Sequence, residues 1–576
     1  MTTKTTFGLA LGVVGSVYIS ALLTLPPSVF WSPDEGAKFI QMASLLVRAD
    51  SPHRIAYGAV ASDPSFAFYP SQLIYPKPLT PSGVHHHWPI LFPLASFPFF
   101  RVFGVWGLYV LPVTCGLLAA AAAAFLARRL EPDSAIPAVL LAGLGTPLLF
   151  QSVLFLEHTL AGALGLGALL FGWIALRDGI RRRPGYSVLT AACLVVLFAL
   201  RDETLIFVAA LACSGLITSQ AIRTRSILRA GQALLPLLLL LALAKTAGDA
   251  WGGSSRATDL IGNAMRALDG LKDPALWNRL PRHCLDVLIN NPRNFGVPLP
   301  PAWAWAGLAG LSLCALSGMA FPASRFRCWF LGASLVAMTS AAGLCLESRY
   351  RAVHGLLLPM PCLVLAWLPT GFDGGQTRRS EAVLTILLPV FLVIYVVTTW
   401  VLRRPDGGPE WGLRYAMMAY LLAAVLGSVA VTRFAKASRG WRRPAGVGLA
   451  VLLFALSCGY GVRGIIETQV TKRDLLAFER EIRDSGCPVV TDHWWLASAL
   501  APTFVSTPLF TLNSRGPIDL WLAGAGAHAS EFLYVTYNTP PDVVQRAIGS
   551  GSTLSLTRRH VIYNMTFSRY AVQRTP

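Results

Sequence analysis

The feature that most constrains the fold of this chain is a long series of apolar runs separated by short polar breaks. About 20 apolar residues in a helix cross the roughly 30 Å hydrocarbon core of a bilayer. Apolar residues make up 54% of the 576 residues and charged residues only 13%, unlike a soluble globular protein. The sequence therefore predicts a polytopic α-helical membrane protein with about thirteen transmembrane helices. The predicted spans are 7–30, 104–127, 135–155, 159–176, 186–200, 204–219, 230–247, 302–320, 328–346, 352–370, 382–402, 412–432 and 445–463.

Arginine is concentrated in every second loop, which predicts the orientation of the chain. Short loops rich in Lys and Arg stay on the cytoplasmic side of a membrane. Both the N-terminus and these loops are then inside and the C-terminus is outside. The net charge of +19 follows from this distribution and does not indicate a nucleic-acid partner. The arginine-rich loops include Arg128–Arg129, Arg181–Arg183, Arg223–Arg229, Arg325–Arg327, Arg378–Arg379 and Arg433–Arg443.

Three outer segments are too long to be simple connections. They are a first outer loop at 31–103, a second at 248–301, and the tail from 464. The tail contains the strand-like "CPVVTD" and "EFLYVTY" around the helical "RDLLAFEREIRD". We therefore predict a transmembrane domain over 1–463 and a small extracytoplasmic α/β domain over 464–576.

Two adjacent carboxylates follow the first apolar run, in "FWSPDEGAKFIQM". Ser32, Pro33 and Glu35 have the spacing of a capping box, with Pro at the first helical position. A capped helix lying in the membrane interface therefore accounts for Glu35. It does not require Asp34, which we single out as a candidate functional acid.

Further polar side chains gather at the predicted outer ends of the spans. Glu157 and His158 lie at one hairpin tip, and Arg201, Asp202 and Glu203 lie at another. A hairpin tip needs polar residues in any case, but both tips fall on the same side as Asp34. The segment "SGVHHHWPI" adds His85–His87, which is compatible either with an interfacial anchor or with a loop that exposes one or two imidazoles.

Two outer loops place an Arg-Tyr pair at the start of a span, against the usual distribution of positive charge. They are "CLESRYRAVHG", with Arg349 and Tyr350, and "PEWGLRYAM", with Arg414 and Tyr415. Arginine forks match phosphate oxygens, so an anion on the outer side would explain them. Lipid headgroups and a phosphate-bearing substrate are both compatible with this reading.

The order of these motifs resembles the GT-C superfamily of membrane glycosyltransferases, especially its protein-mannosyltransferase-like and aminoarabinose-transferase-like branch. The resemblance covers most of the chain, through the acid pair after the first span and "HWPILFPLASFPFFRVFG", "LRDETL", "NPRNFGVPLPPAWAWAGLAG", "WGLRY" and "VVTDHWWLASALA". It implies transfer of a sugar from a polyprenyl-phosphate carrier to a glycan, lipid or protein acceptor outside the cell membrane. By the same resemblance, Asp34 is the catalytic acid of the first loop, Glu157 a second outer acid and Arg201 a ligand of the carrier phosphate.

The implied chemistry distributes roles over the polar residues. A carboxylate must accept the acceptor's proton, for which we predict Asp34 with its neighbour Glu35. Fixed cations must hold the departing phosphate, for which we predict Arg201, Arg349 and Arg414. The predicted substrate-binding residues are Glu157, His158, Glu203, His87, Tyr350 and Tyr415.

Several alternatives stay open at this stage. A membrane transporter or flippase, an oligosaccharide ligase with a diphosphate carrier, and a scaffold with a sensory tail are the competing functions. No cofactor is certain, and a divalent metal ion at His85–His87 and Glu157 stays open. Most of the ten cysteines lie in or beside predicted spans, whereas Cys284 and Cys487 lie outside them and are able to pair.

Overall fold

The computed structural model describes residues 3–47, 55, 57–70, 89–178, 184–201, 204–218, 278, 283, 287, 356, 360–367, 379–401, 416–440, 442–512, 518–537 and 552–574. These residues form long apolar helices followed by a small sheet. The helices of the apolar part are α1 (Thr3–Leu23), α2 (Pro33–Val47), α3 (Leu91–Phe103), α4 (Val110–Leu130), α5 (Ala135–Leu144), α6 (Leu148–Gln151), α7 (His158–Asp178), α8 (Pro184–Leu200), α9 (Thr204–Thr218), α10 (Arg379–Val401), α11 (Met417–Ala437) and α12 (Arg442–Ser485), with short 3-10 helices at Gly104–Tyr109, Pro132–Ser134 and Pro361–Trp367.

Five helical segments of the described ranges are long and apolar enough to cross a membrane. Shorter apolar helices include Pro184–Leu200 and Thr204–Ser214. The predicted spans at 230–247, 302–320 and 328–346 lie outside the described residues. The five segments are Thr5–Leu23, Leu91–Leu130, His158–Ala175, Met417–Ala437 and Gly446–Ser485.

Helix α4 is packed on several sides through an alanine-rich face. Ala119, Ala120, Ala123 and Ala124 are all completely buried. Small side chains let neighbouring helix backbones approach closely, which is how helices associate in a membrane. Helices α5 and α7 pack against α4, and α1 is joined to α5 by the Tyr18 hydroxyl, which donates to the Gly143 carbonyl at 2.8 Å.

Two predicted spans are interrupted at prolines. The span predicted at 7–30 is helical only to Leu23, because Pro26 and Pro27 cannot continue the ladder of helix hydrogen bonds. The span predicted at 135–155 ends at Leu144, and the short α6 begins after Pro147. The residue before a proline is biased away from the helical region, so this break was readable from the sequence.

The C-terminal part folds as a five-stranded mixed sheet. Strands β1 (Val489–Thr491), β2 (Leu509–Thr511), β3 (Glu531–Tyr537), β4 (Ser552–Ile562) and β5 (Met565–Arg574) lie in the order β2-β1-β3-β5-β4. Strand β1 pairs in parallel with β2 and β3, and β5 pairs antiparallel with β3 and β4. The segments predicted as strands form β1 and β3, and the segment predicted as a helix lies in α12. The short helices α13 (Trp494–Ala499), α14 (Ala501–Ser506) and α15 (Ile518–Ala523) connect the first three strands.

Helix α12 connects the two parts of the chain without interruption. Its 44 residues contain both an apolar half and the polar segment that packs on the sheet. The boundary predicted between 463 and 464 falls inside this helix. At about 1.5 Å per residue, the part beyond 464 extends the helix by roughly 30 Å.

The first outer loop and the C-terminal sheet share one hydrophobic core. Tyr57 and Tyr69 of the loop pack with Phe504 of α14. The Phe68 carbonyl also accepts a 2.8 Å hydrogen bond from the Thr511 N–H of β2. These contacts hold the segment that follows α2 against the sheet.

Helix α2 lies unusually close to the backbone of α13. A Cβ atom added at Gly36 would lie 1.8 Å from the Ser498 carbonyl oxygen. Beside this contact, the Phe30 N–H donates to the Ala499 carbonyl at 2.9 Å. Only glycine fits at position 36, which explains the residue that follows the two carboxylates.

Replacing Gly36 by alanine should therefore push α2 and α13 apart. Overpacking of this kind costs about 1–3 kcal/mol or more, so we expect a lower midpoint of thermal unfolding in detergent or nanodiscs. Gly12→Ala is a matched control, since nothing lies within 4 Å of a Cβ atom added there in α1. Equal unfolding midpoints for the two variants would contradict the close contact.

Candidate functional site

The predicted capping box is present at the start of α2 and reaches beyond its own helix. The Glu35 N–H donates to the Ser32 hydroxyl at 3.3 Å, and Glu35 Oε2 accepts from the Ser32 N–H at 3.0 Å. The other carboxylate oxygen, Oε1, accepts from the Phe155 N–H at 2.9 Å. Glu35 is completely buried. Its side chain thus joins the first outer loop to the turn that leads into α7.

Asp34 lies beside Glu35 in the first turn of α2 and is half-buried. Lys38 follows Asp34 by four residues, one turn further along α2, about 5–6 Å away along the helix axis.

A buried ion-pair cluster lies next to this helix, centred on Glu157. Lys38 Nζ is 3.0 Å from Glu157 Oε2, and the Arg201 guanidinium donates to Glu157 Oε1 at 2.9 Å. The side chains of Lys38, Glu157 and Arg201 are 3%, 7% and 10% exposed. Residues from α2, from the start of α7 and from the end of α8 therefore meet at one carboxylate.

His158 extends the cluster on the side of Arg201. The same guanidinium nitrogen that contacts Glu157 lies 2.6 Å from His158 Nδ1. Because a guanidinium only donates hydrogen bonds, Nδ1 must be the acceptor.

The pKa of Glu157 reflects two opposing effects. Burial disfavours the charged carboxylate, but the positive charges of Lys38 and Arg201 outweigh that effect and hold the pKa well below its ordinary value. The carboxylate is therefore ionised at any physiological pH. It serves as a fixed charge and is poorly suited to accept a proton during a reaction.

A pocket opens on the other side of Arg201 and His158. It lies between α7, α8, α9, α10 and α11 and is open to solvent on one side. Arg201, His158 and Thr204 lie at its polar end. The remaining lining is apolar and comprises Ala161, Gly162, Leu197, Phe207, Phe391, Met417 and Met418.

The structure brings together five of the residues singled out from the sequence. Asp34 and Glu35 lie on α2. Glu35 bonds to Phe155, and Lys38 contacts Glu157, so α2 is linked to the segment that contains Glu157 and His158. Glu157 in turn contacts Arg201. Lys38 was not among the predicted residues. Its position four residues after Asp34 was the available signal, but an isolated lysine in an amphipathic helix usually lies in solvent. The other predicted site residues lie outside the described residues, and so do Asp202 and Cys284. These site residues are His87, Glu203, Arg349, Tyr350, Arg414 and Tyr415.

Glu157 in this arrangement does not fit the role of a metal ligand. Each of its two oxygens already faces a cation, and a divalent ion would have to displace Lys38 or Arg201. Within the described ranges, no three or more His, Cys, Asp or Glu side chains are grouped as a metal site. The predicted contribution of His85–His87 lies outside those ranges.

Comparison with known proteins identifies the fold. No family model matches the chain, and no curated protein matches its sequence. Crystal structures of ArnT from Cupriavidus metallidurans are similar along almost the whole length. The structure bound to undecaprenyl phosphate has 13% sequence identity and a TM-score of 0.51, and the match covers 99% of this chain and 98% of that chain. The apo structure gives 12% identity and a TM-score of 0.52 over the same shares.

The archaeal oligosaccharyltransferase from Archaeoglobus fulgidus is a more distant match. It has 12% identity and a TM-score of 0.47, and the match covers 92% of this chain and 69% of that chain. The fold that the chain shares is that of ArnT. The resemblance inferred from the sequence motifs is thus confirmed at the level of the fold, which is that of a membrane protein.

The ion pairs of Glu157 give a testable dependence of stability on pH. In the unfolded chain, a glutamate carboxyl has a pKa of about 4.3. A lower pKa in the folded protein means that the ionised carboxylate stabilises the fold at every pH above about 4.3. This stabilisation is lost as the pH falls further, towards and through the folded pKa. Glu157→Gln should therefore unfold at a lower temperature than the wild type at neutral pH. The difference between the two unfolding midpoints should shrink as the pH falls below about 4.3.

Glu131→Gln provides a control for this measurement. Glu131 also pairs with two cations, but Lys436 is 51% exposed and Arg433 is 28% exposed, so the solvent screens these pairs. We expect a much smaller difference for this variant at every pH. A difference for Glu157→Gln that does not change with pH would contradict the assigned charge state of Glu157.

Proposed function

We propose that this protein transfers a sugar from a polyprenyl-phosphate donor to an acceptor on the extracytoplasmic side of the cell membrane. The observation that carries the proposal is the pocket, whose polar end holds Arg201 and His158 and whose walls are apolar. A phosphate joined to an isoprenoid chain has the same division between a charged head and an apolar tail. The ArnT structure with the same fold binds undecaprenyl phosphate, which supports this class of ligand.

In the proposed reaction, the bond between the anomeric carbon and the phosphate oxygen breaks, and the oxygen keeps the electron pair. An oxygen or nitrogen of the acceptor forms the new bond to the anomeric carbon from the opposite face, with inversion. The anomeric carbon passes through an oxocarbenium-like state while negative charge grows on the leaving phosphate. Arg201 stabilises that charge, since guanidinium groups bind phosphate oxygens in a fixed geometry.

The proton released by the acceptor goes to Asp34. The support for this assignment is the position of Asp34 in the first turn of α2, the helix whose Lys38 contacts Glu157 beside Arg201. Both oxygens of Glu35 accept backbone N–H groups, and both oxygens of Glu157 face cations. We therefore assign Glu35 to positioning α2 and Glu157 to the charge cluster, and we keep Asp34, which is half-buried, as the general base.

The remaining functional residues stay predictions. Arg349 and Arg414 are proposed as further ligands of the donor phosphate. His87, Glu203, Tyr350 and Tyr415 are proposed to contact the sugar or the acceptor. The active site is proposed to face the outside of the inner or plasma membrane, with the 464–576 region on the same side.

Asp34→Asn tests the assignment of the base. The amide cannot accept the proton, so we expect sugar transfer to fall by at least about a hundredfold, while membrane insertion and the unfolding midpoint stay close to those of the wild type. The readout is mass spectrometry of membrane lipids and glycans from cells that produce each variant, because it identifies donor and acceptor together.

Asp133→Asn is the matched control for this experiment. Asp133 is 67% exposed and pairs with Lys436 in the charged cluster around Glu131. This variant should keep the modification found with the wild type. Undiminished transfer by Asp34→Asn would remove Asp34 as the base, and absence of any product from the wild type would count against the proposed function itself.

A further inference from the structure

The tip of the β4–β5 hairpin presents two exposed apolar side chains beside α12. Tyr563 is 62% exposed and Val561 is 60% exposed. We propose that this tip is a membrane anchor, which lies among the lipid headgroups on the side of the membrane where α12 leaves the bilayer. The inference goes beyond the proposed transfer reaction and does not depend on it, because it concerns how the C-terminal sheet rests on the membrane.

The hairpin runs alongside α12, with its tip toward the apolar half of that helix. At the tip, the ring centroids of Tyr563 and Phe478 are 6.4 Å apart, and the Tyr563 hydroxyl donates to the Asp474 carboxylate. Further from the tip, His560 Nδ1 is 3.3 Å from the Glu481 carboxylate. Moving from the tip back along β4 therefore follows α12 away from its apolar half.

An exposed column of aliphatic side chains on α12 indicates where the membrane surface lies. Val462, Ile466 and Val470 follow one another at intervals of one turn, and all three are exposed. Arg463 and Glu467 lie on the neighbouring face and are half-buried. Exposed aliphatic groups are favourable against lipid chains and unfavourable in water. The hydrocarbon region then extends to about Val470, about two turns past the predicted end of this span.

Beyond Val470, the exposed side of α12 becomes basic. Arg473 and Arg480 are the next two exposed residues, and guanidinium groups bind phosphate oxygens such as those of lipid headgroups. The headgroup layer is roughly 5–8 Å thick on each side of the bilayer. Asp474, which bonds to Tyr563, follows Val470 by one turn, or about 6 Å. The hairpin tip therefore falls within this layer.

The backbone of Tyr563 is strained, which indicates a role for its side chain. Its φ is 53°, and it forms a two-residue loop with Asn564 between the paired residues Ile562 and Met565. This left-handed region favours glycine and is unusual for an aromatic residue. Tyrosine is suited to the membrane interface, because its ring is apolar and its hydroxyl is polar. Contact of the ring with lipid would offset the cost of the backbone conformation.

Photo-cross-linking of the full chain in nanodiscs tests this anchor. The cross-linking residue p-benzoylphenylalanine replaces Tyr563 in one variant and Leu556 in another, and the nanodiscs contain tritiated phosphatidylethanolamine. Leu556 is a matched control, because it is 45% exposed on the same strand but lies roughly 20 Å further from the membrane than the tip. We expect at least about fivefold more labelled lipid attached at position 563 than at position 556.

Tyr563→Gly separates the contribution of the ring from that of the backbone. Glycine readily adopts a positive φ, so this variant should keep the hairpin, which the unfolding midpoint checks. With the cross-linking residue at position 561, we expect Tyr563→Gly to lower the yield of labelled lipid by at least about threefold. Tyr563→Trp, which keeps an interfacial aromatic ring, should preserve the yield.

Three outcomes would overturn the anchor. The first is an equal yield of labelled lipid at positions 563 and 556. The second is cross-linking of position 563 to another protein or to a second copy of this chain in place of lipid. The third is an unchanged yield at position 561 in the Tyr563→Gly variant. Sugar transfer is not measured in this experiment, so the proposed function stands or fails separately on the Asp34→Asn test.

Discussion

The carboxylate of Glu157 is the point on which the arrangement of the site depends. It is almost completely buried and lies between Lys38 and Arg201, two cations that come from distant parts of the sequence. A buried charge is tolerated only when it is paired, and loss of one partner from such a pair is strongly destabilising. The ends of α2, α7 and α8 must therefore meet wherever the chain is folded. This requirement brings an acid of the first loop and an arginine of a later hairpin tip to the same place.

Glu35 provides a second link between the same segments without a second buried ion pair. Its carboxylate accepts one N–H from its own helix cap and one from Phe155, two residues before Glu157. Hydrogen bonds from backbone N–H groups to a carboxylate are short and strong. They define the start of α2 relative to the turn before α7. Asp34 is the adjacent residue in the chain, so these contacts also determine the position of its backbone.

The C-terminal sheet contributes to this arrangement from the opposite side of α2. Gly36 allows the backbone of α13 to come within van der Waals contact of α2. Lys472 of α12 donates one hydrogen bond to the Tyr109 hydroxyl at 3.0 Å and one to the Pro26 carbonyl at 3.3 Å. Lys472 is completely buried. The segment from Pro26 to Gly36 is thus enclosed between the long helix, the sheet and the turn before α7. Such support on several sides is what the role proposed for Asp34 would require.

Local patterns predicted the elements well and their contacts poorly. The apolar runs, the capping box at Ser32 and Glu35, and strands β1 and β3 each depend on neighbours within a few residues. The breaks after Leu23 and Leu144 also have local causes, because prolines follow both. The partners of Glu35 at Phe155 and of Lys38 at Glu157 are more than a hundred residues away. Nothing in the amphipathic pattern of α2 distinguishes Lys38 from a lysine in solvent, and only the folded structure shows that its charge is buried.

The shape of the pocket bears on the choice between transfer and transport. Its apolar walls run along α7, α8 and α9 and end at Arg201 and His158, which lie at the ends of their helices. A transporter requires a polar site that can be reached from both sides, and such sites are usually near the middle of the membrane at broken helices. In the described residues, the cationic end of the pocket lies at one end of the helices. The proposed lipid-linked phosphate would keep its isoprenoid chain in the apolar part of the pocket and hold its headgroup at the cationic end. This division favours chemistry at the membrane surface over movement of the headgroup across it.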